Sequence, residues 1–405
     1  MSNFTITPLE NGLENVQGFY CGATNTGMRT NPANSGPSDV DGDVAFIRSK
    51  VLCDVSAVFT SNTFQAAPIK HYMRYPKNFQ TDFVLMNAKN ANAMTGEQGI
   101  NDIDTIMSVL SSKLDVFNPI MASTGVIGYR LPIDKITSAF DVLDFNASHS
   151  HLAARAIMTT DSFKKELAYK VELENGKSFN IAAICKGAGM INPAMATMLC
   201  FITTDADIPK EDIDAVLHDA TEDSFNRISV DGDTSTNDTV LLLANKQSKS
   251  YDKEAFSTVL KQIMFELAMM ILEDGEGANK LVAFEVNGAA TLEDAKKASM
   301  ALSNSLLVKT ALFGEDPNWG RIASTIGASG IACDDSKLSI HYDDLLIYSD
   351  EFRELDKVRE DQAYKIMKQE RFKVTCDIGL GKASYISYGC DLSYEYVKIN
   401  AEYRT

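Results

Sequence analysis

No block of lysine and arginine occurs anywhere in this 405-residue chain, and acidic residues outnumber basic ones 55 to 38, for a formal charge of −17. Nothing in such a sequence can neutralise a run of phosphates, so nucleic acid and anionic membranes are not expected partners. Cysteine offers no framework either. The seven cysteines (Cys21, Cys53, Cys185, Cys200, Cys333, Cys376, Cys390) are odd in number, scattered, and never spaced as CxxC. That argues against disulfides or a zinc site and fits reduced thiols in a cytoplasm. The first residues, MSNFTITPLENGLENVQGF, lack the basic start and unbroken apolar run of a secretory signal. The longest apolar helical stretch, Phe256 to Leu272, is interrupted by Lys261 and Glu266. It falls short of the roughly 20 apolar residues that a bilayer span requires. No fixed-period repeat or low-complexity tract appears, so domain boundaries are weakly marked.

What is present is an ordinary globular composition, 45% hydrophobic and 23% charged, at a length that favours two domains or one elaborated domain. β-like runs (Val51 to Thr60, Phe83 to Asn87) alternate with helix-like ones such as Asp102 to Leu114, a mixed α/β pattern. Pro209 marks a helix start, with Asp207 as its cap and a run to Ile228. A second helix is predicted over Lys253 to Leu272, with Phe256, Leu260, Ile263, Met264, Leu267 and Ile271 on one stripe. A third is predicted over roughly Leu292 to Leu312. From Phe372 onward, β-branched and aromatic residues broken by glycines predict strands and hairpins to the end.

Chemistry concentrates between Ile181 and Ile208, IAAICKGAGMINPAMATMLCFITTDADI, which predicts strand, loop and strand. Thr197 stands where the loop, shaped by Gly187, Gly189 and Pro193, becomes a short apolar strand buried on both faces. A mid-chain threonine is a weak nucleophile, because its hydroxyl has no adjacent base. Cutting the bond before it would place an α-amine, with an ordinary pKa of ~7.7, on the same residue. Such a cut can follow an N-to-O acyl shift, with Thr197 Oγ attacking the Ala196 carbonyl. On the residues alone, a core strand beginning at Thr197 remains the simpler reading.

KGAGMINPAMATMLCFITTDA nevertheless resembles the KGSGMI-x-P-x-MATML-x-FITTDA signature of the ornithine acetyltransferase (glutamate N-acetyltransferase) family. Further blocks extend the resemblance over nearly the whole chain: AVFTSNTFQAAP, NANAMTGEQG, STGVIGYRLP, SVDGDTSTNDT, DGEGANK, LVKTALFGEDPNWGRIA and the terminal INAEYRT.

The resemblance implies an N-terminal-nucleophile-like, mixed α/β fold of the DmpA and ArgJ kind, with packed sheets flanked by helices. It implies self-cleavage between Ala196 and Thr197 into an α chain, 1–196, and a β chain, 197–405, sharing one fold; residues 285–385 are a candidate smaller second domain. The implied activity is ping-pong transfer of acetyl from N2-acetyl-L-ornithine to L-glutamate in cyclic arginine biosynthesis. Thr197 would be the nucleophile, and Thr124 and Gly125 the oxyanion hole. Thr160 (with Thr159 close behind), Lys186, Thr197, Glu276, Asn400 and Thr405 would contact substrate. No metal or organic cofactor is expected, and the assembly would be α₂β₂ in the cytoplasm. One alternative also acetylates glutamate from acetyl-CoA; another is a self-cleaving amidohydrolase or aminopeptidase of similar fold. Asn192 and Ala194 stand where His and Asn are common, Lys89 where Gly is usual, and Arg404 where Thr is common.

Other signals are weaker. Asp231 to Asp238 lacks the sixth-position glycine and the closing glutamate of a calcium loop. His149 and His151 have no further metal ligand nearby in sequence, and GLGK at Gly379 to Lys382 lacks phosphate-loop spacing.

Overall fold

The computed structural model describes residues 3–28, 42–192 and 198–402. Its elements sort into two sheets with helices packed on them, a mixed α/β fold. Among the described residues, the larger sheet has nine strands. Eight run in the order Phe4–Pro8, Lys165–Leu173, Ser178–Lys186, Leu199–Thr204, Thr239–Ala244, Val44–Phe59, Gln80–Asn87, Ile120–Ser123, and Phe19–Thr24 pairs with Val44–Phe59 off that path. Leu199–Thr204 lies antiparallel to Ser178–Lys186 and parallel to Thr239–Ala244. All six of its residues are buried. Cys200 and Ile202 enter one hydrophobic cluster while Leu199 and Phe201 enter another. Burial on both faces is why this strand reads as a continuous apolar run without alternation.

The Lys253–Glu273 helix follows its apolar stripe, and its start is fixed by Asp252, whose carboxylate accepts from the Ala255 N–H at 2.9 Å. At 21 residues and a mean hydropathy of 1.5 it is long and apolar enough to cross a membrane, which corrects the expectation from Phe256 to Leu272. Yet 56% of its most apolar window is buried, packed on the Lys165–Leu173 and Ser178–Lys186 strands, as for a core helix.

Three expected elements differ. The helix after Pro209 spans Lys210–Glu222, with Pro209 itself in the extended capping position and no side-chain cap, so Asp207 does not cap it. It ends early where the Thr221 and Ser224 hydroxyls donate back to the carbonyls of Leu217 and Ala220, competing with the backbone ladder. The stretch from Leu292 is two helices, Leu292–Asn304 and Leu306–Phe313. Between them Ser305 turns extended and accepts the Val308 N–H on its hydroxyl. The tail forms strands Arg371–Asp377 and Ala383–Cys390, but both flank Leu281–Ala289 instead of pairing as a hairpin. A helix, Tyr394–Glu402, then replaces the expected strands.

The second sheet has the order Leu345–Tyr348, Ser339–Tyr342, Arg371–Asp377, Leu281–Ala289, Ala383–Cys390, Ile228–Ser229, and packs its own cluster around Phe284, Leu302 and Val374. Its strand Ile228–Ser229 comes from the chain just before Thr239–Ala244, so the two sheets are tied by sequence as well as by packing.

Leu260 is fully buried in the long helix against the larger sheet. Leu260→Ala is expected to lower unfolding free energy by about 2–5 kcal/mol, read from the shift of the urea midpoint at unchanged slope.

Candidate active site

The Ile120–Ser123 strand delivers the Thr-Gly pair to the sheet edge. Ser123 is its last residue, and the Thr124 N–H donates to the Asn87 carbonyl at 3.0 Å on the neighbouring strand. Gly125 then adopts φ +132°, and a Cβ there would lie 2.2 Å from the Lys89 carbonyl carbon. Only glycine fits so close a backbone approach. Lys89, whose backbone makes that approach, is left-handed at φ +72°.

Lys186 ends the Ser178–Lys186 strand, buried, with its Nζ donating to Thr124 Oγ1 at 3.2 Å. An ammonium can only donate, so the Thr124 hydroxyl accepts from it and keeps its own proton for another acceptor. Burial pushes the Lys186 ammonium below its ordinary range, against the pull of Asp161.

Behind Lys186 lies a closed ionic cluster. Lys165 is wholly buried, and its Nζ donates to Asp161 at 2.8 Å and to Asp274 at 2.5 Å. Asp161 also accepts the Gly187 N–H at 2.7 Å and the Thr159 N–H at 3.0 Å, and Asp274 accepts the Ser162 N–H at 2.9 Å. Burial alone would raise the Asp161 pKa, but the fields of Lys165 and Lys186, with these hydrogen bonds, hold it at about 2. For Asp274 burial wins, and its carboxyl lies above the ordinary range.

Two residues after Asp274, the Glu276 N–H donates to the Ala188 carbonyl at 2.8 Å. A Cβ on Gly189 would meet the Glu276 carboxylate at 2.4 Å, so Gly189 is what admits that side chain. Burial raises the Glu276 pKa, while hydrogen bonds from Thr160 and Asn400 oppose it; the Asn400 amide donates at 2.6 Å.

These residues enclose one cavity of about 290 Å³, lined by Thr124, Gly125, Thr159, Thr160, Lys186, Gly189, Glu276 and Asn400 among others. The structure therefore brings together Thr124, Gly125, Thr160, Lys186, Glu276 and Asn400 from distant parts of the chain. Ala196, Thr197 and Thr405, with Ala194 and Arg404, lie outside the described residues. Asn192 is described, donating to Thr234 Oγ1 at 3.3 Å and accepting from Asn304 at 3.2 Å.

Sequence reasoning did not single out Asp161, Lys165 or Asp274 as supports. It also passed over Asn237, which lines the cavity and donates to the carbonyls of Ala91 and Ser123, at 2.6 and 2.8 Å. The signal available was the block from Ser229 to Thr239, too polar for segments that the structure buries. Asp231 in that block accepts the N–H groups of Met190 and Ile191, at 2.6 and 2.9 Å, bracing the glycine-rich loop.

The profile of the ArgJ family matches residues 28–405. The chain belongs to the ArgJ family. It is 52% identical over 403 residues to an "Arginine biosynthesis bifunctional protein ArgJ" of Wolinella succinogenes, covering 99% of this chain and all of that one. It is 43% identical over 393 residues to a "Glutamate N-acetyltransferase" of Methanococcus maripaludis, covering 92% and 95% of the two chains. A crystallised ArgJ protein of Bacillus halodurans is 35% identical, with a TM-score of 0.46, over 49% of this chain and 96% of that one. Membership in the ArgJ family makes the chain an acyltransferase.

Asp161 gives a sign that can be checked. Its folded pKa lies below the ordinary carboxylate value, so its stabilisation is complete above about pH 4 and is lost as pH falls toward 2. Asp161→Asn should cost about 3–5 kcal/mol at neutral pH by leaving Lys165 under-compensated. It should also flatten the loss of stability between about pH 4 and 2, measured by urea titration at each pH.

Proposed function

We propose that this ArgJ-family enzyme cuts itself between Ala196 and Thr197 and transfers acetyl from N2-acetyl-L-ornithine to L-glutamate through an acetyl ester on Thr197. The observation that carries this reading is the cavity itself, in which the buried Lys186 ammonium, the half-buried Glu276 carboxyl and the Thr124–Gly125 backbone share one small space. An acetylated amino acid with a carboxylate at one end and a side-chain ammonium at the other needs both charges, and Lys186 and Glu276 supply them.

In the forward half-reaction, the α-amine of Thr197 takes the Oγ proton as Oγ bonds to the acetyl carbon. The carbonyl oxygen becomes an oxyanion, held by the Gly125 N–H and the Thr124 hydroxyl that Lys186 leaves free to donate. The carbon–nitrogen bond then breaks, and the proton passes to the departing ornithine nitrogen. The glutamate amine attacks the ester in the second half, returning the proton to Oγ.

The sheet supports survival of the fold after the cut, since Leu199–Thr204 stays paired with Ser178–Lys186 across the two resulting chains. Association as α₂β₂ and residence in the cytoplasm belong to the same proposal. The relative named as bifunctional favours a second acetyl donor, acetyl-CoA, at the same threonine. N-acetylglutamate formed from acetyl-CoA and glutamate by the pure enzyme would establish that activity, and none above background would leave transfer from acetylornithine alone.

Intact mass under denaturing conditions should give two chains, the second beginning at Thr197, and Thr197→Ala should remain whole and inactive. A single full-length chain from active protein would refute the mechanism. Thr124→Val in cleaved enzyme should lower kcat by ~10²-fold or more with little change in KM. Lys186→Met and Glu276→Gln should instead raise KM for acetylornithine, and an unchanged KM in both would refute their pairing with substrate.

A further inference from the structure

The Thr124–Gly125 turn leaves the larger sheet at an edge. Ile120–Ser123 is the last strand in the order, hydrogen-bonded on one side to Gln80–Asn87. The N–H of the Ser123–Thr124 peptide donates inward to the Asn87 carbonyl at 3.0 Å, so the carbonyl of the same peptide points the opposite way, off the edge. No strand among the described residues pairs there. Ser123 is buried all the same, and its carbonyl is met by a side chain, with Asn237 Nδ2 donating at 2.8 Å. The other hydrogen of that amide goes to the Ala91 carbonyl at 2.6 Å. Ala91 belongs to the segment against which the turn lies: its N–H donates to the Val126 carbonyl at 3.1 Å, and the Val126 N–H donates to the Lys89 carbonyl at 3.2 Å. One side-chain amide therefore joins the residue before the turn to the segment beneath it.

Asn237 is itself fixed. Carbonyls only accept, so the NH₂ end of the carboxamide must face Ser123 and Ala91. The Oδ1 end accepts from the Thr236 hydroxyl at 2.7 Å, and the Asn237 backbone N–H donates to Ser235 Oγ at 3.0 Å. The Ser235 carbonyl accepts from the Thr60 hydroxyl at 2.7 Å, and the Thr236 carbonyl from the Ala66 N–H at 2.9 Å.

From this geometry we infer that Asn237 is a positioning residue for acetyl transfer: its amide holds the Ser123–Thr124 peptide and so aims the Thr124 hydroxyl and the Gly125 N–H at the developing oxyanion. The inference rests on the reading of Thr124 and Gly125 as the oxyanion donors proposed above. Gly125, at φ +132°, has no side chain to restrain it, so the turn must be held from outside. Donors lower the barrier only when they are already in place as charge develops, and a small misplacement forfeits much of their effect. Asn237 lines the cavity, but both of its amide hydrogens are committed to protein carbonyls, so it acts through the turn.

The test is transfer from acetylornithine to glutamate by purified enzyme, with kcat expressed per cleaved chain counted by intact mass. Asn237→Ala should lower kcat at least about 10-fold and leave KM for acetylornithine within about 2-fold. Combined with Thr124→Val it should be little slower than Thr124→Val alone, because the turn then has less to aim. An unchanged kcat overturns the inference, as does a raised KM at unchanged kcat, which marks a contact to bound substrate. A double variant slowed by the full product of the two single effects overturns it too, since Asn237 would then act independently of Thr124. Should Asn237→Ala not fold or not be cut, Asn237→Ser decides in its place, with the same expected loss. If neither variant yields folded, cleaved enzyme, the role lies in making the enzyme and the inference is overturned. Full kcat in Thr124→Val refutes the oxyanion reading; a slow Thr124→Val beside a fast Asn237→Ala refutes this inference alone.

Discussion

A single buried ammonium, that of Lys165, organises the site. Placed where no water reaches, it requires two carboxylates, Asp161 and Asp274, to offset its lost hydration. Each carboxylate belongs to a different segment, and each segment carries a residue of the cavity. Asp161 fixes Thr159 and the Gly187 amide, so Thr160 and the strand end bearing Lys186 are set together. Asp274 closes the long core helix and places Glu276 two residues on, against Ala188. The arrangement is a polar core that is worth its desolvation only when every member is present, which makes it a device for positioning more than for stability.

Glycine performs the complementary task on the other wall. Gly125 lets backbone come to 2.2 Å of where a side chain would be, and Gly189 clears space that the Glu276 carboxylate occupies. Lys186 links the walls, anchored among the buried charges at one side and donating to Thr124 on the other. A change in the ionic cluster therefore reaches the Thr124 wall of the cavity through Lys186 and its hydrogen bond to Thr124.

The elements that the sequence predicted well are those whose burial is one-sided or complete. The Lys253–Glu273 helix shows its stripe because one face meets the sheet, and Leu199–Thr204 shows an unbroken apolar run because both faces do. Misread elements ended through local side-chain competition or long-range pairing. The Thr221 and Ser224 hydroxyls shorten one helix, Ser305 divides another, and the partner that separates Arg371–Asp377 from Ala383–Cys390 lies about a hundred residues upstream. The helix Tyr394–Glu402 buries none of its residues, so no periodic apolar signal betrayed it.

The sequence by itself determined the family, and through that resemblance it named Thr124, Gly125, Thr160, Lys186, Glu276 and Asn400, which the fold brings to one cavity. Motif and residue type are properties of covalent order and side-chain chemistry, which a linear text records. Only the tertiary structure decided that Lys165 is compensated by two carboxylates, Asp161 four residues before it and Asp274 in a remote segment, and that Lys186 donates to Thr124. The physical reason is desolvation: whether a charged group is an ordinary surface residue or an organising centre depends on how much water the rest of the chain removes from it.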